Sequence, residues 1–405
     1  MRDKASKNSL LVPRGGRPFR AEFTRPRVDD LRRRITSAVV PAQATGENWY
    51  SGPPNGYMRD LLDEWSNAFD FSAAEDSVNR FSQYQIPVLM PNGVRLDVHV
   101  TVEPGSNLEL PPIVMTHGWP SLPYEFFGMV DRISHPERSG GRAEDGATVI
   151  LPSLPGFGYS STPRPLHARE IATAWHQMMR EAFACDRFFV HGGDWGAVVS
   201  SWMAVDAPQH LYGIHLSMLG LRPNIDPALP LDDEERRWVK EVQRRLAADG
   251  GYREQHATRP TTLGYGLCDS PAFMAAWLID KYHGWGGAKP NQDPLVPRQE
   301  ILKLLSLYWF SSSLNTAGWI YHADRSKVHE LALGQKCEVP TACAFFENGF
   351  FPPPPTRWIE RGHNLQIRKD FPDGGHFPAL CKPSELADAI SEWHRDPNFL
   401  TPSMA

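Results

Sequence analysis

The chain has 405 residues, with 42 lysines and arginines against 47 aspartates and glutamates, for a formal net charge of −5 at pH 7. That balance offers no global attraction to nucleic acid or to an anionic membrane. Five cysteines (Cys185, Cys268, Cys337, Cys343, Cys381) are odd in number and form no Cys-x-x-Cys pair, which argues against a disulfide framework or zinc site and for a reducing, cytoplasmic compartment.

The first twenty residues, "MRDKASKNSLLVPRGGRPFR", are basic and polar, with only Leu10-Leu11-Val12 apolar. A secretory h-region needs roughly 7–15 apolar residues, so none is expected here. Leu11-Val12-Pro13-Arg14-Gly15 resembles a thrombin-type cleavage site of an expression fusion, and residues 1–20 are expected to be a tail. No apolar run approaches the roughly 20 residues that span a bilayer.

Residues 21–90 read as a helical region, with "VDDLRRRI" and "YMRDLLDEWSNAF" apolar at three- and four-residue spacing. "QIPVLMPNGVRLDVHVTVEP" then reads as a hairpin around Pro91-Asn92-Gly93. Over 91–220 short apolar runs alternate with longer amphipathic segments: "PIVMTH" (112–117), "ATVILPSL" (147–154), "RFFVHG" (187–192) and "YGIHLSM" (212–218). This alternation predicts a mostly parallel sheet covered by helices. It breaks over 221–335, a helix-rich stretch placed to form a lid over the strand ends. It resumes over 336–405 with "VPTACAFF", "HNLQIRKD" and the helix "SELADAISEWHR". The fold class is α/β, with a helical insertion and an N-terminal helical region.

Gly192-Gly193-Asp194-Trp195-Gly196 sits at a strand–turn–helix corner, where enzymes of this architecture hold a nucleophile between small residues. An acid after a later strand and a histidine near the end should follow. "FPDGGHFPAL" (371–380) supplies His376 after the last predicted strand. "THGWPS" (116–121) follows the first parallel strand, where the amide of Trp119 could join that of Trp195 in an oxyanion hole. A Rossmann cofactor fold does not fit, because "GFG" at 156–158 lacks the third glycine of GxGxxG.

"HGWP", "LPSLPGFGYS", "GGDWGA", "GIHLSM", "TRPTTLGYGLCDSP" and "GGHF" together resemble the microsomal-type epoxide hydrolase family, within the α/β-hydrolase fold. The resemblance runs from Phe23 to Trp393 and includes the N-terminal helical region. It implies hydrolysis of an apolar epoxide to a vicinal diol, with the epoxide and water as reactants and no cofactor, metal or nucleic acid. A homo-oligomer is compatible with the sequence. A membrane anchor of the kind some family members carry is not expected in this sequence. Asp194 would attack the ring and form an ester, and His376 would activate water against it. Serine in its place would leave a stable ether. The resemblance assigns Tyr252 and Tyr321 of the lid as proton donors to the opening ring, whereas Tyr265, Tyr282 and Tyr308 read as residues that pack or bond locally.

One position departs from the family. Its Glu or Asp follows the strand "TACAFF", but here the segment reads "FFENGFFPPPPTRW". Counting back from Trp358 or His376 lands on Phe350, and counting forward from Phe346 lands on Gly349. Glu347 is the carboxylate of this loop and is the candidate acid after a local shift. The alternatives are a haloalkane dehalogenase-like hydrolase, or a member with altered catalysis, an epoxide-opening cyclase or a binding protein, in which the acid is lost.

Overall fold

The computed structural model describes residues 10–43, 46, 48–325 and 329–400. Nine strands form one sheet: β1 (Arg17–Phe19), β2 (Ser82–Leu89), β3 (Arg95–Glu103), β4 (Ile113–Thr116), β5 (Val149–Pro152), β6 (Phe188–Gly192), β7 (Leu211–Leu216), β8 (Cys337–Phe346) and β9 (His363–Phe371). Their order is β1-β2-β3-β5-β4-β6-β7-β8-β9. The pairs from β1 to β5 are antiparallel, and those from β5 through β4 to β9 are parallel. Chain order reverses direction at β4, and in open α/β sheets ligands bind beyond the strand ends at such a switch point.

The parallel strands are apolar throughout because helices cover both faces; β4, β5 and β6 are buried at every residue. Helix Ala168–Glu181 and helix Asp194–Asp206 pack on one side, with Trp175, Met178 and Met203 buried. The other side carries helix Phe127–Ser134 against the last long helix, Pro383–Arg395.

Two expectations are corrected at the N-terminus. Residues 10–20 are not a tail: Leu10 is fully buried, the Arg14 amide donates to Ala182 O at 2.8 Å, and β1 pairs with β2. The apolar side chains at Leu10 and Phe19 give the segment something to bury, Phe19 lying 5.0 Å from the His99 ring. The boundary drawn at residue 90 falls in the turn of the β2–β3 hairpin, whose register runs unbroken from Ser82↔Val102 to Leu89↔Arg95, so β2 belongs with the core sheet.

The helices of 25–78 clasp the insertion. Phe23 and Phe71 contact Phe310, Trp65 donates to Ser306 Oγ at 2.8 Å, and Arg34 pairs with Asp269. Among the described residues the insertion's regular elements are helices, from Asp233–Asp249 to Trp319–Asp324, joined by loops, with one isolated parallel bridge, Arg222↔Glu330, where it leaves and re-enters the core.

Candidate active site

Asp194 and Trp119 meet because of strand register. β4 and β6 are parallel neighbours with Thr116 opposite Gly192, so both chains leave the sheet at the same height. Gly193 caps the helix that Asp194 begins, and Asp194 has φ 48°, a left-handed conformation that non-glycine residues rarely adopt. The turn lifts its carboxylate clear of the sheet. The Trp119 amide donates to Asp194 Oδ1 at 2.8 Å. Gly118 is required beside it, since a β-carbon there would collide with the Asp194 side chain. Trp195 is the second residue of the helix, so its amide belongs to the first turn, which has no intrahelical acceptor.

The turn is braced from several directions. His117 is buried, and burial pushes its pKa down to about 4. Being neutral, it donates through Nδ1 to Gly118 O at 3.0 Å and accepts the Leu154 amide on Nε2 at 3.1 Å. Tyr282 donates to Pro120 O at 3.0 Å and Tyr308 to Ser121 O at 2.7 Å. Reading these phenols as local bonds was right in kind, but that both converge on the Trp119 loop was not legible in sequence. The Trp119–Pro120 peptide is cis.

His376 arrives from the loop after β9. Gly374 and Gly375 both have positive φ, and the His376 amide donates to Trp285 O at 2.8 Å. Its Nε2 then lies 3.4 Å from Asp194 Oδ2, with the two side chains 8% and 19% exposed. Trp285 stands edge-on to the imidazole at 5.2 Å and is held by its Nε1 donating to Asp249 Oδ2 at 2.7 Å; Asp249 also pairs with the buried Lys281.

Tyr252 and Tyr321 come from different lid helices to the same place. Tyr252 stacks on Trp119 at 5.0 Å, Tyr321 stands edge-on to Trp195 at 4.9 Å, and their ring centroids are 5.8 Å apart. Burial raises both phenol pKa values, and Asp194 raises them further, so both hydroxyls stay protonated.

Glu347 is not brought to His376. Its side chain is exposed, and its backbone links the loops instead, the amide donating to Phe371 O at 2.9 Å and the carbonyl accepting from Gly375 N at 3.0 Å. Those bonds continue the β8–β9 ladder and fix the side chain on the outer face. Among the described residues, Asp194 is the one carboxylate within ion-pair distance of His376. Gly349 is the residue that faces it: buried, lining the same cavity, and placed so that a β-carbon would lie 3.2 Å from His376 N.

A cavity of about 200 Å³ opens above Asp194. Its wall is mainly apolar, from Val198, Val242, Leu246, Phe345, Phe351 and the proline run 352–354, with Tyr252, Tyr321 and His376 at its base. Of the aromatic residues of the lid, Trp238 lines it and Trp285 is buried beside His376, whereas Trp277, Trp309 and Trp319 are half-buried and Phe273 is exposed. Among the described residues no cluster of three His, Cys, Asp or Glu side chains could hold a metal ion, and no helix is long and apolar enough to cross a membrane.

The sheet order, the strained corner at Asp194 and the lidded cavity define a hydrolase of the α/β-hydrolase fold. Comparison with known proteins agrees: a family model described as the epoxide hydrolase N terminus matches residues 16–126, and one for the alpha/beta hydrolase fold matches 111–253. A "Putative epoxide hydrolase" of Stigmatella aurantiaca is 33% identical over 93% of this chain and 84% of its own length. Epoxide hydrolase 1 of Oryctolagus cuniculus is 27% identical over 93% of this chain and 88% of its own. Among solved structures, the epoxide hydrolase of Aspergillus niger superposes with a TM-score of 0.78 at 25% identity, covering 93% of this chain and 95% of that one. The juvenile hormone epoxide hydrolase of Bombyx mori gives 0.80 at 24%, covering 94% and 95%, a likeness of fold. The chain belongs to the epoxide hydrolase family.

Proposed function

We propose that the chain hydrolyses an apolar epoxide to a vicinal diol through an ester on Asp194. The observation that carries this reading is the paired hold on one carboxylate, with Oδ1 bonded by the Trp119 amide at 2.8 Å and Oδ2 beside His376 Nε2 at 3.4 Å. Oδ1 is placed to become the ester carbonyl and Oδ2 the nucleophile. As Oδ2 bonds to a ring carbon, the carbon–oxygen bond of the oxirane breaks and the alkoxide takes a proton from Tyr252 or Tyr321. Water, losing its proton to His376, then attacks the carboxyl carbon. The amides of Trp119 and Trp195 hold the oxyanion, which collapses as the ester carbon–oxygen bond breaks; the departing alkoxide takes the proton from His376, and the Asp194 carboxyl proton returns to the phenolate as the diol leaves. A single turnover in 18O-water tests this. The diol should carry no solvent oxygen and the label should enter Asp194; labelled diol in the first turnover would mean direct attack by water.

A second feature qualifies the rate of that cycle. With Glu347 exposed and glycine at 349, no acid but Asp194 reaches the imidazole among the described residues, so ester hydrolysis is the slow step and the alkylated enzyme accumulates. A burst of one equivalent of epoxide consumed before a slower steady phase is expected.

A further inference from the structure

Two arginines stand on the wall of the substrate cavity: Arg222, on the segment after β7, and Arg253, next to Tyr252 on lid helix Gly251–Thr258. Neither guanidinium has an ion pair or hydrogen bond among the described residues, whereas Arg236, Arg244 and Arg245 of the lid pair with Asp233 and Glu241. Both side chains are exposed, so they stand at the mouth. Arg222 is fixed by its backbone, with its amide donating to His329 O at 2.8 Å and its carbonyl accepting Leu331 N at 2.9 Å. His329, on the same wall, is held neutral: burial and the two arginines push its pKa down to about 4.

The acids nearby do not answer them. Asp194 is the one carboxylate on this cavity's wall among the described residues. Glu254 and Asp324 face an adjoining cavity beyond Trp195 and Tyr321, which Arg253 and Arg325 also line, and Asp324 accepts the Ala168 amide at 3.0 Å. Glu330, bridged to Arg222 through the backbone, lines neither cavity.

We propose that the epoxide this enzyme takes carries a carboxylate, bound by Arg222 and Arg253 at the cavity mouth while its apolar body lies along Val198, Val242 and Leu246 toward Asp194. The proposal rests on Asp194 being the residue that opens the oxirane. A second carboxylate entering a cavity that already holds Asp194 meets like-charge repulsion, and two guanidiniums at the entrance offset it. Arginine suits the task because its planar fork binds both oxygens of a carboxylate. At the mouth the carboxylate also keeps part of its hydration.

The test compares the terminal epoxide of undecenoic acid with its methyl ester. Wild-type enzyme should favour the acid in kcat/KM. Arg222→Gln and Arg253→Gln should each lower kcat/KM for the acid about tenfold and leave the ester unchanged, and Arg253→Lys should keep part of the preference. Equal losses on acid and ester, or an unaltered acid-to-ester ratio, would overturn the proposal. Calorimetry with the unreactive diol acid and diol ester reads the same preference without turnover. An ester epoxide that is hydrolysed with no preference for the acid sinks this proposal alone. Preferential binding of the diol acid by an enzyme that hydrolyses neither epoxide sinks the catalytic reading and leaves the anion site standing.

Discussion

A β-carbon on Gly349 would lie 3.2 Å from the backbone nitrogen of His376, while the Glu347 side chain is exposed on the far side of the same loop. Gly349 has no positive φ, so its backbone accepts a side chain without strain, and the contact asks only a small shift of residues 375–376. Gly349→Asp should therefore speed ester hydrolysis strongly, with an upper bound of about 10⁴-fold, the loss that follows removal of the orienting acid in a triad. Glu347→Gln should leave it unchanged. Single-turnover decay of the alkylated enzyme measures both; a slow Glu347→Gln would restore Glu347 as the acid.

His376→Gln separates the two chemical steps. Ring opening needs Asp194 and a phenol, whereas water attack needs the imidazole 3.4 Å away. The variant should consume one equivalent of epoxide and stop, and intact-protein mass should rise by the mass of one substrate. Continued turnover would remove His376 from the mechanism.

Tyr252 and Tyr321 should act before that point. Both phenols are raised above their ordinary pKa by burial and by Asp194, so in the resting enzyme both hold the proton that the opening ring takes. Tyr252→Phe combined with Tyr321→Phe should slow ring opening by about 10²–10⁴-fold. The rate of ester decay should not move, and stopped-flow quenching of Trp195 or Trp119 fluorescence on alkylation would follow the step.

Tyr282 and Tyr308 support the site from outside it. Each bonds a buried carbonyl of the turn that presents the Trp119 amide. Tyr308→Phe should cost about 1–3 kcal/mol of stability, since it strands the Ser121 carbonyl without its partner. Chemical denaturation measures the loss, and kcat should fall with KM little changed because the Trp119 amide, not the substrate cavity, is displaced.

Acid should destabilise the fold through its buried histidines. His117 and His363 are both pushed down to about 4 by burial, against an ordinary value of 6.5. A depressed folded-state pKa means that the unfolded chain binds more protons in between. The stabilisation is complete above about 6.5 and is lost as pH falls toward 4, by about 1.4 kcal/mol per pH unit for each such histidine. Neither ring nitrogen of His363 has a hydrogen-bond partner among the described residues. His363→Leu should therefore shrink the difference in Tm between pH 8 and pH 5; an unchanged difference would show that His363 is not protonated on unfolding.

Local pattern carried much of this protein. The alternation of apolar runs with amphipathic segments announces the parallel strands because each strand buries both faces, and the small residues around Asp194 announce the corner because only they let the chain turn there. The order Asp194 then His376 is likewise written in one dimension, as is the resemblance that singled out Tyr252 and Tyr321. What sequence could not decide depends on contacts between distant segments. Leu10 and Arg17–Phe19 look like a tail until β2 gives them a partner. Tyr282 and Tyr308 look like packing until the lid lays them on the Trp119 loop. Glu347 was the carboxylate within reach by counting, but β8 ends at Phe346 and the chain then turns through Asn348, whose φ is 67°, which leaves residue 347 exposed and residue 349 buried beside His376. Which position of that turn lies beside the catalytic histidine is set by its bonds to Phe371 and Gly375 on the β9 side, and those exist only once β8 and β9 have paired.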